Sequence, residues 1–138
     1  MNEVFVDSAV PLLAAGGAHR LRAASREVMA AVAAGSVRMH ASVEMLQEFT
    51  HHRMRMGAVP EALLDARDLA DMTVVHAFDL EVWQEATRLM QVSAIRGRDA
   101  VHAATALLAG FDEIISPDTD FVDVPGLRRI HPADWPAS

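Results

Sequence analysis

Cysteine and lysine are both absent from this 138-residue chain, and all twelve cationic side chains are arginine. Without cysteine there is no disulfide, no thiolate metal site and no Cys nucleophile. Without lysine a P-loop lacks its phosphate-binding cation, and Schiff-base chemistry lacks its amine. Phosphoacceptor receiver domains and haloacid-dehalogenase-type phosphatases, α/β folds with clustered aspartates that normally use a lysine, lose weight for the same reason. Aromatic residues make up only 5% of a chain that is 51% hydrophobic, so the core must be aliphatic, built from Ala, Val, Leu and Met. No stretch reads as a signal peptide or membrane span, because the apolar runs are short and broken by Arg or Gly. A soluble cytoplasmic protein is therefore expected. The net charge of −7 argues against a simple basic nucleic-acid coat, but not against a nuclease whose acidic residues bind cations.

The length predicts one domain over residues 1–138, large enough to bury roughly two thirds of its unfolded surface. "EVFV" (3–6) reads as a buried strand ending at Asp7, followed by a loop with Pro11, Gly16 and Gly17. His19 to Ala34 reads as a helix stopped by Gly35. "SVRMH" (36–40) is a second strand, and Ser42 caps a helix from Val43 to Met56 closed by Gly57. Pro60 opens a further helix, "PEALLDARDLADM". "TVVHAF" (73–78) is β-branched and strand-like, and Asp79 caps the helix "LEVWQEATRLMQV". Gly97 breaks the pattern, and Asp99 opens an Ala-rich helix that ends at Gly110. "EIIS" (113–116) and "LRRI" (127–130) complete the strands, the last placed at an edge by its two arginines. "HPADWPAS" (131–138) reads as a C-terminal tail that packs through Trp135. Alternating strands and helices predict an α/β fold: a three-layer α/β/α sandwich around a mostly parallel sheet of four to five strands.

In an open parallel sheet, ligands collect beyond the carboxyl ends of the strands. Asp7 ends the first strand, Asp118 and Asp120 follow the fourth in "SPDTDF", Asp99 starts the helix leading into it, and Glu48 lies in the helix after the second. Each acid taken alone has a plain structural reading as a helix cap, a turn former or a solvated helix residue. Taken together, the topology brings several to one edge. Converging carboxylates repel, and a divalent cation relieves that repulsion. All-oxygen ligands suit Mg²⁺ or Mn²⁺. An EF-hand is excluded, since "DTDFVD" places Val122 where a third ligand is required. There is no HExxH motif, and adjacent His51 and His52 do not face one metal from a helix.

From about Glu3 to Ile130 the chain resembles the PIN domains, and within them the VapC-type toxins of bacterial toxin–antitoxin pairs. "VFVDSAV" resembles the family's opening strand with its first metal-binding Asp, at Asp7. "ASVEMLQEF" resembles the Ser/Thr-led helix carrying the family's Glu, at Glu48, six residues after Ser42; Glu44 lies one turn earlier on the same face. "GRDAVHAATALLAG" resembles the central motif, with its Asp at Asp99. "IISPDTDF" resembles the (S/T)xDxxF segment, with the fourth acid at Asp118, the hydroxyl at Ser116 and an additional acid at Asp120. One departure is Ala9, where the family often has Asn and with it a hydrogen bond near the metal.

The resemblance implies an endoribonuclease dependent on Mg²⁺ or Mn²⁺. Asp7, Asp99 and Asp118 would be direct ligands. Glu48 and Asp120 would bind through water or orient it, and Ser116 would hold a carboxylate or water. It also implies a homodimer held inactive by a cognate antitoxin, some of which insert an arginine into the acidic crevice. Arg96 and Arg98 are candidates to hold RNA phosphates. The basic end of helix 43–56 (His51, His52, Arg53 and Arg55) either tracks an RNA backbone or simply complements the helix dipole, the plainer reading. Arg20, Arg22 and Arg26 read as a solvated face, and Met54 and Met56 as packing or subunit contact. His102, one turn after Asp99, reads more readily as a hydrogen-bonded core histidine than as part of the site. Two other readings stay open: a PIN-type nuclease without an antitoxin, and a non-catalytic interaction module.

Overall fold

The computed structural model describes residues 2–136. Strand β1 (Asn2–Phe5) pairs with β2 (Val37–Ser42), and β2 with β3 (Thr73–His76). Strand β4 (Glu113–Ile115) pairs with β5 (Arg128–Ile130). A parallel bridge between Val6 and Ile115 joins the two ladders, helped by the Asp7 N–H donating to the Ile115 carbonyl at 3.3 Å. The order is thus β3-β2-β1-β4-β5, with every pairing parallel. The chain winds outward from β1 in one direction, then returns to its other side. Strand order reverses between β1 and β4, which is where a parallel α/β sheet opens a crevice for ligands.

Among the described residues six α-helices cover the sheet: α1 (Ala9–Ala15), α2 (Arg22–Ala33), α3 (Val43–Met56), α4 (Val59–Asp71), α5 (Leu80–Val92) and α6 (Gly97–Leu108). Successive strand residues point to opposite faces, and the core follows that alternation. Phe5 and Ile114 pack with α5 and α6, while Val6 and Ile115 pack with α1 to α4. The result is the expected three-layer arrangement. No helix among the described residues is long and apolar enough to cross a membrane.

Local signals held where chemistry is local. Ser42 accepts the Glu44 N–H at 3.1 Å and Asp79 accepts the Val82 N–H at 3.0 Å, so both helices start where their caps predict. The loop expected around Pro11 is instead α1. Pro11 is its third residue, within the first turn, where backbone N–H groups have no intrahelical partner and proline's missing donor removes nothing. Helix α6 begins at Gly97, two residues before Asp99. Gly97 has φ +57°, a conformation that only glycine adopts freely, and it turns the chain sharply from α5 into α6. Seven consecutive residues of α6, Ala100 to Ala106, are buried, and its alanines let the helix lie close against the sheet. At the C-terminus, a short 3₁₀ turn (Pro132–Asp134) leads to Trp135, which packs on the α1–α4 side of the core. Residues 137 and 138 of the tail lie outside the described residues.

Candidate metal centre and active site

Two buried groups tie the crevice together where β1 and β4 end. Asp7 is 2% exposed, and Ser116, fully buried, donates from Oγ to Asp7 Oδ2 at 2.6 Å. The same Ser116 Oγ accepts the Asp118 N–H at 3.0 Å. Asp118 Oδ1 in turn accepts the Asp120 N–H at 2.9 Å, which winds residues Thr119–Phe121 into a 3₁₀ turn. Phe121, fully buried against α6, anchors that turn. Asp118 therefore forms the turn, as its plain reading anticipated, and its second oxygen accepts no hydrogen bond from the described residues. Asp99 is not a cap: the N-cap of α6 is Arg96, and Asp99 stands in the first turn without a backbone partner.

Asp99, Asp118 and Asp120 each bring one oxygen within 4.8 Å of the other two. This tight group differs from the expected ligand trio in containing Asp120. Asp7 sits deeper, with both oxygens already accepting hydrogen bonds: Oδ2 from Ser116 and Oδ1 from the Ala9 N–H at 3.1 Å. Residue spacing marks which acids reach the crevice, but their depth depends on how far α6 and the 3₁₀ turn close over β1.

The electrostatics are those of a centre short of positive charge. Burial pushes the Asp99 carboxyl up to about 7, with the Asp118 charge, a hydrogen bond shared with Asp120 and the Asp7 charge adding to it; His102 opposes. Burial likewise pushes Asp7 up to about 6, against the hydrogen bond from Ser116, the charge of His102 and the Ala9 N–H. A hard divalent ion meets these donors well. The converging oxygens carry more negative charge than the local protein groups neutralise, and no softer nitrogen or sulfur ligand joins the trio.

Glu48 has a different setting. Burial acts to raise its pKa, but the hydrogen bond and charge of His102, the Ser8 hydroxyl and the Arg98 charge together hold it below the usual value. Ser8 Oγ donates to Glu48 Oε2 at 2.9 Å, His102 Nε2 lies 3.0 Å from Oε1, and Arg98 Nη1 lies 3.6 Å from Oε2. Glu44 only lines the groove one turn earlier. Ser8 was not singled out by the sequence, and His102 is the buried, hydrogen-bonded histidine expected, with the site's own Glu48 as its partner. The signals were present: Ser8 directly follows Asp7, and His102 lies at i+3 from Asp99, on the same helix face.

The two arginines before Asp99 part company. Arg98 is exposed and opens onto a groove of about 420 Å³ shared with Glu44, Gln47, Glu48, His51, His52 and Arg55. Arg96 points away: its Nη1 donates to the carbonyls of Met90, Ser93 and Ile95 at 3.1, 3.1 and 2.7 Å, closing the C-terminal end of α5. The expectation that it holds phosphate is corrected on that ground, because free carbonyls at a helix end attract a guanidinium.

Fold and site together define an α/β protein with an acidic crevice at the switch point of a parallel sheet. The PIN domain family model matches residues 4–127, and the chain belongs to that family. It is 24% identical over 132 residues to "Ribonuclease VapC13" of Mycobacterium tuberculosis, covering 92% of this chain and 98% of that protein. It is 26% identical over 132 residues to "Ribonuclease VapC7" of the same organism, covering 94% and 91%. Among solved structures it resembles VapBC2 from Rickettsia felis bound to a promoter DNA fragment (TM-score 0.72, 10% identity, 94% of this chain and 98% of that one). It also resembles DNA-bound VapBC from Salmonella typhimurium (TM-score 0.71, 16% identity, 96% and 99%).

Proposed function

We propose that the protein is a metal-dependent endoribonuclease, the toxin of a type II toxin–antitoxin pair. The observation that carries the reading is the convergence of Asp99, Asp118 and Asp120 over buried Asp7, at the place where the fold opens its crevice. The ribonuclease names of its relatives agree with it.

When bound, Mg²⁺ or Mn²⁺ supplies the Lewis acidity that activates water and neutralises charge on the phosphoryl group. Asp99, Asp118 and Asp120 offer the oxygens that would hold it, with Asp7 beneath them. Ser116 keeps Asp7 and Asp118 in register. Glu48 accepts hydrogen bonds at both oxygens, which suits it to orient a water rather than to enter the ligand set. Arg98 offers a guanidinium to an RNA phosphate beside the acids, and Arg55, His51 and His52 extend that groove.

An antitoxin is the proposed protein partner. A second groove of about 830 Å³, lined by Leu12, Leu13, Leu21 and Met56 with Arg20 and Arg53, supports the docking of an amphipathic segment. Val59 and Leu64, both exposed on α4, support a homodimer contact. A cytoplasmic location follows from such a role.

The test is cleavage of total cellular RNA by purified protein with Mg²⁺ or Mn²⁺, beside EDTA and Asp99→Asn controls. Discrete metal-dependent fragments, absent with the variant, are expected. Intact RNA under every condition, from well-folded protein, overturns the reading in favour of a non-catalytic module.

A further inference from the structure

His102 is fully buried within the run of seven buried residues, Ala100 to Ala106, of α6. Burying an imidazole carries a desolvation cost unless its nitrogens find partners. Only one does. Nε2 meets Glu48 Oε1 at 3.0 Å, whereas Nδ1 is buried without a hydrogen-bond partner among the described residues. An ionised carboxylate only accepts, so Nε2 must carry the proton. With the proton on Nε2, an Nδ1 that carries none is a stranded acceptor, which is more readily tolerated than a stranded N–H. The whole polar capacity of this buried side chain is thus directed at one oxygen of one carboxylate.

Glu48 needs such a restraint. It reaches the crevice from α3, a different element from the β1 and β4 ends that carry Asp7 and Ser116. Ser8 takes its other oxygen from the β1 side. Held at both oxygens from two different elements, the carboxylate has a single orientation. Arg98, at 3.6 Å and largely exposed, is too loose to set it.

We propose that His102 is a positioning residue for the hydrolytic reaction: as an Nε2–H donor it fixes Glu48 Oε1, so that the remaining lone pairs of Glu48 face the acidic crevice. The role rests on the ribonuclease reading above. It adds that an apparently structural core histidine sets the turnover rate through Glu48, without touching metal or RNA.

A purely structural histidine and a positioning one differ in what replacement does. Leucine at 102 fills similar volume but leaves Glu48 Oε1 without its partner, so its folding is checked by denaturant unfolding beside the kinetics. Glutamine places an amide donor near the position of Nε2. The expected result for His102→Leu is a kcat at least 10-fold lower, with KM for RNA within about twofold and Mn²⁺ affinity by calorimetry within about threefold. His102→Gln is expected to recover most of the lost turnover. Independently of activity, the imidazole ¹⁵N spectrum of metal-free protein should show the Nε2–H tautomer and should change in Glu48→Gln. Wild-type kcat in His102→Leu overturns the proposal, and so does a His102→Gln no faster than His102→Leu. Should His102→Leu fail to fold, the Gln variant and the spectrum decide, and a proton on Nδ1 overturns the proposal. Failure of wild-type protein to cleave RNA removes the ribonuclease reading instead, and leaves the tautomer and its dependence on Glu48 to be read separately.

Discussion

Asp7 and Ser116, 109 positions apart in sequence, are joined by a 2.6 Å hydrogen bond between the ends of adjacent parallel strands. Ser116 is both donor to Asp7 and acceptor for the Asp118 N–H, so one hydroxyl couples β1 to the turn that carries two other acids. Replacing it with alanine leaves the Asp118 N–H without this acceptor and Asp7 without its shortest donor. Ser116→Ala is expected to destabilise the fold by about 1–3 kcal/mol and to weaken Mn²⁺ binding at least tenfold, read by denaturant unfolding and calorimetry. Unchanged Mn²⁺ affinity would show that the serine does not set the geometry of the acids.

Asp99 offers the sharpest separation of function from stability. Its carboxyl is raised to about 7 mainly by burial and by Asp118, so its charge is unfavourable in the metal-free fold. Asp99→Asn should lower RNA cleavage more than 100-fold. It should also stabilise the metal-free protein at pH 8, by about 1–2 kcal/mol once solvent screening is allowed for. A less stable variant at pH 8 would contradict the charge-repulsion account.

The pH dependence has a definite sign. Asp7 and Asp99 have folded-state values of about 6 and about 7, above the ordinary 3.8. Between those limits the folded state binds more protons than the unfolded chain, so stability falls as pH rises. The contribution of these two groups is full below about pH 3.8 and is lost as pH passes through about 6 and 7. The stability difference between Asp99→Asn and wild type should therefore be near zero at pH 4 and greatest above pH 7, measured by thermal unfolding in EDTA.

Metal should reverse that loss. At free Mn²⁺ about 100 times its Kd, binding to the folded state alone adds about 2.7 kcal/mol. A rise in Tm with Mn²⁺ at pH 7.5 is expected for wild type, and none for Asp99→Asn or Asp118→Asn. A shift of equal size in all three would place the ion elsewhere.

Arg96 and Arg98 should give opposite phenotypes although only Gly97 separates them. Arg98→Ala should weaken binding of RNA to a cleavage-deficient variant and reduce the salt dependence of that binding by about one counterion. Arg96→Ala should leave RNA affinity unchanged and cost about 0.5–1.5 kcal/mol through its three carbonyl acceptors. Filter binding across a salt series, paired with urea unfolding, distinguishes them.

Much of this architecture is legible along the chain because it is set by neighbours in sequence. Ser42 and Asp79 cap their helices through bonds two and three residues long, and helices 43–56 and 80–92 run between the residues that periodicity selects. The absence of lysine and cysteine and the order of the acids already narrowed the chemistry to oxygen ligands and a hard cation. Pro11 misled because its effect depends on its place within a helix, not on its presence.

What tertiary packing alone decided is depth and direction. The close approach of α6 to the sheet and the winding of the turn after β4 put Asp120 beside Asp99 and Asp118, with Asp7 beneath. The bare carbonyls at the end of α5 turned Arg96 away from the crevice, while Arg98, two residues on, faced it. His102 met Glu48 across 54 residues because α3 and α6 pack side by side. Such pairings join elements distant in the chain, and a carboxylate's partners there are set by how layers pack and where water is excluded, which spacing along a sequence does not encode.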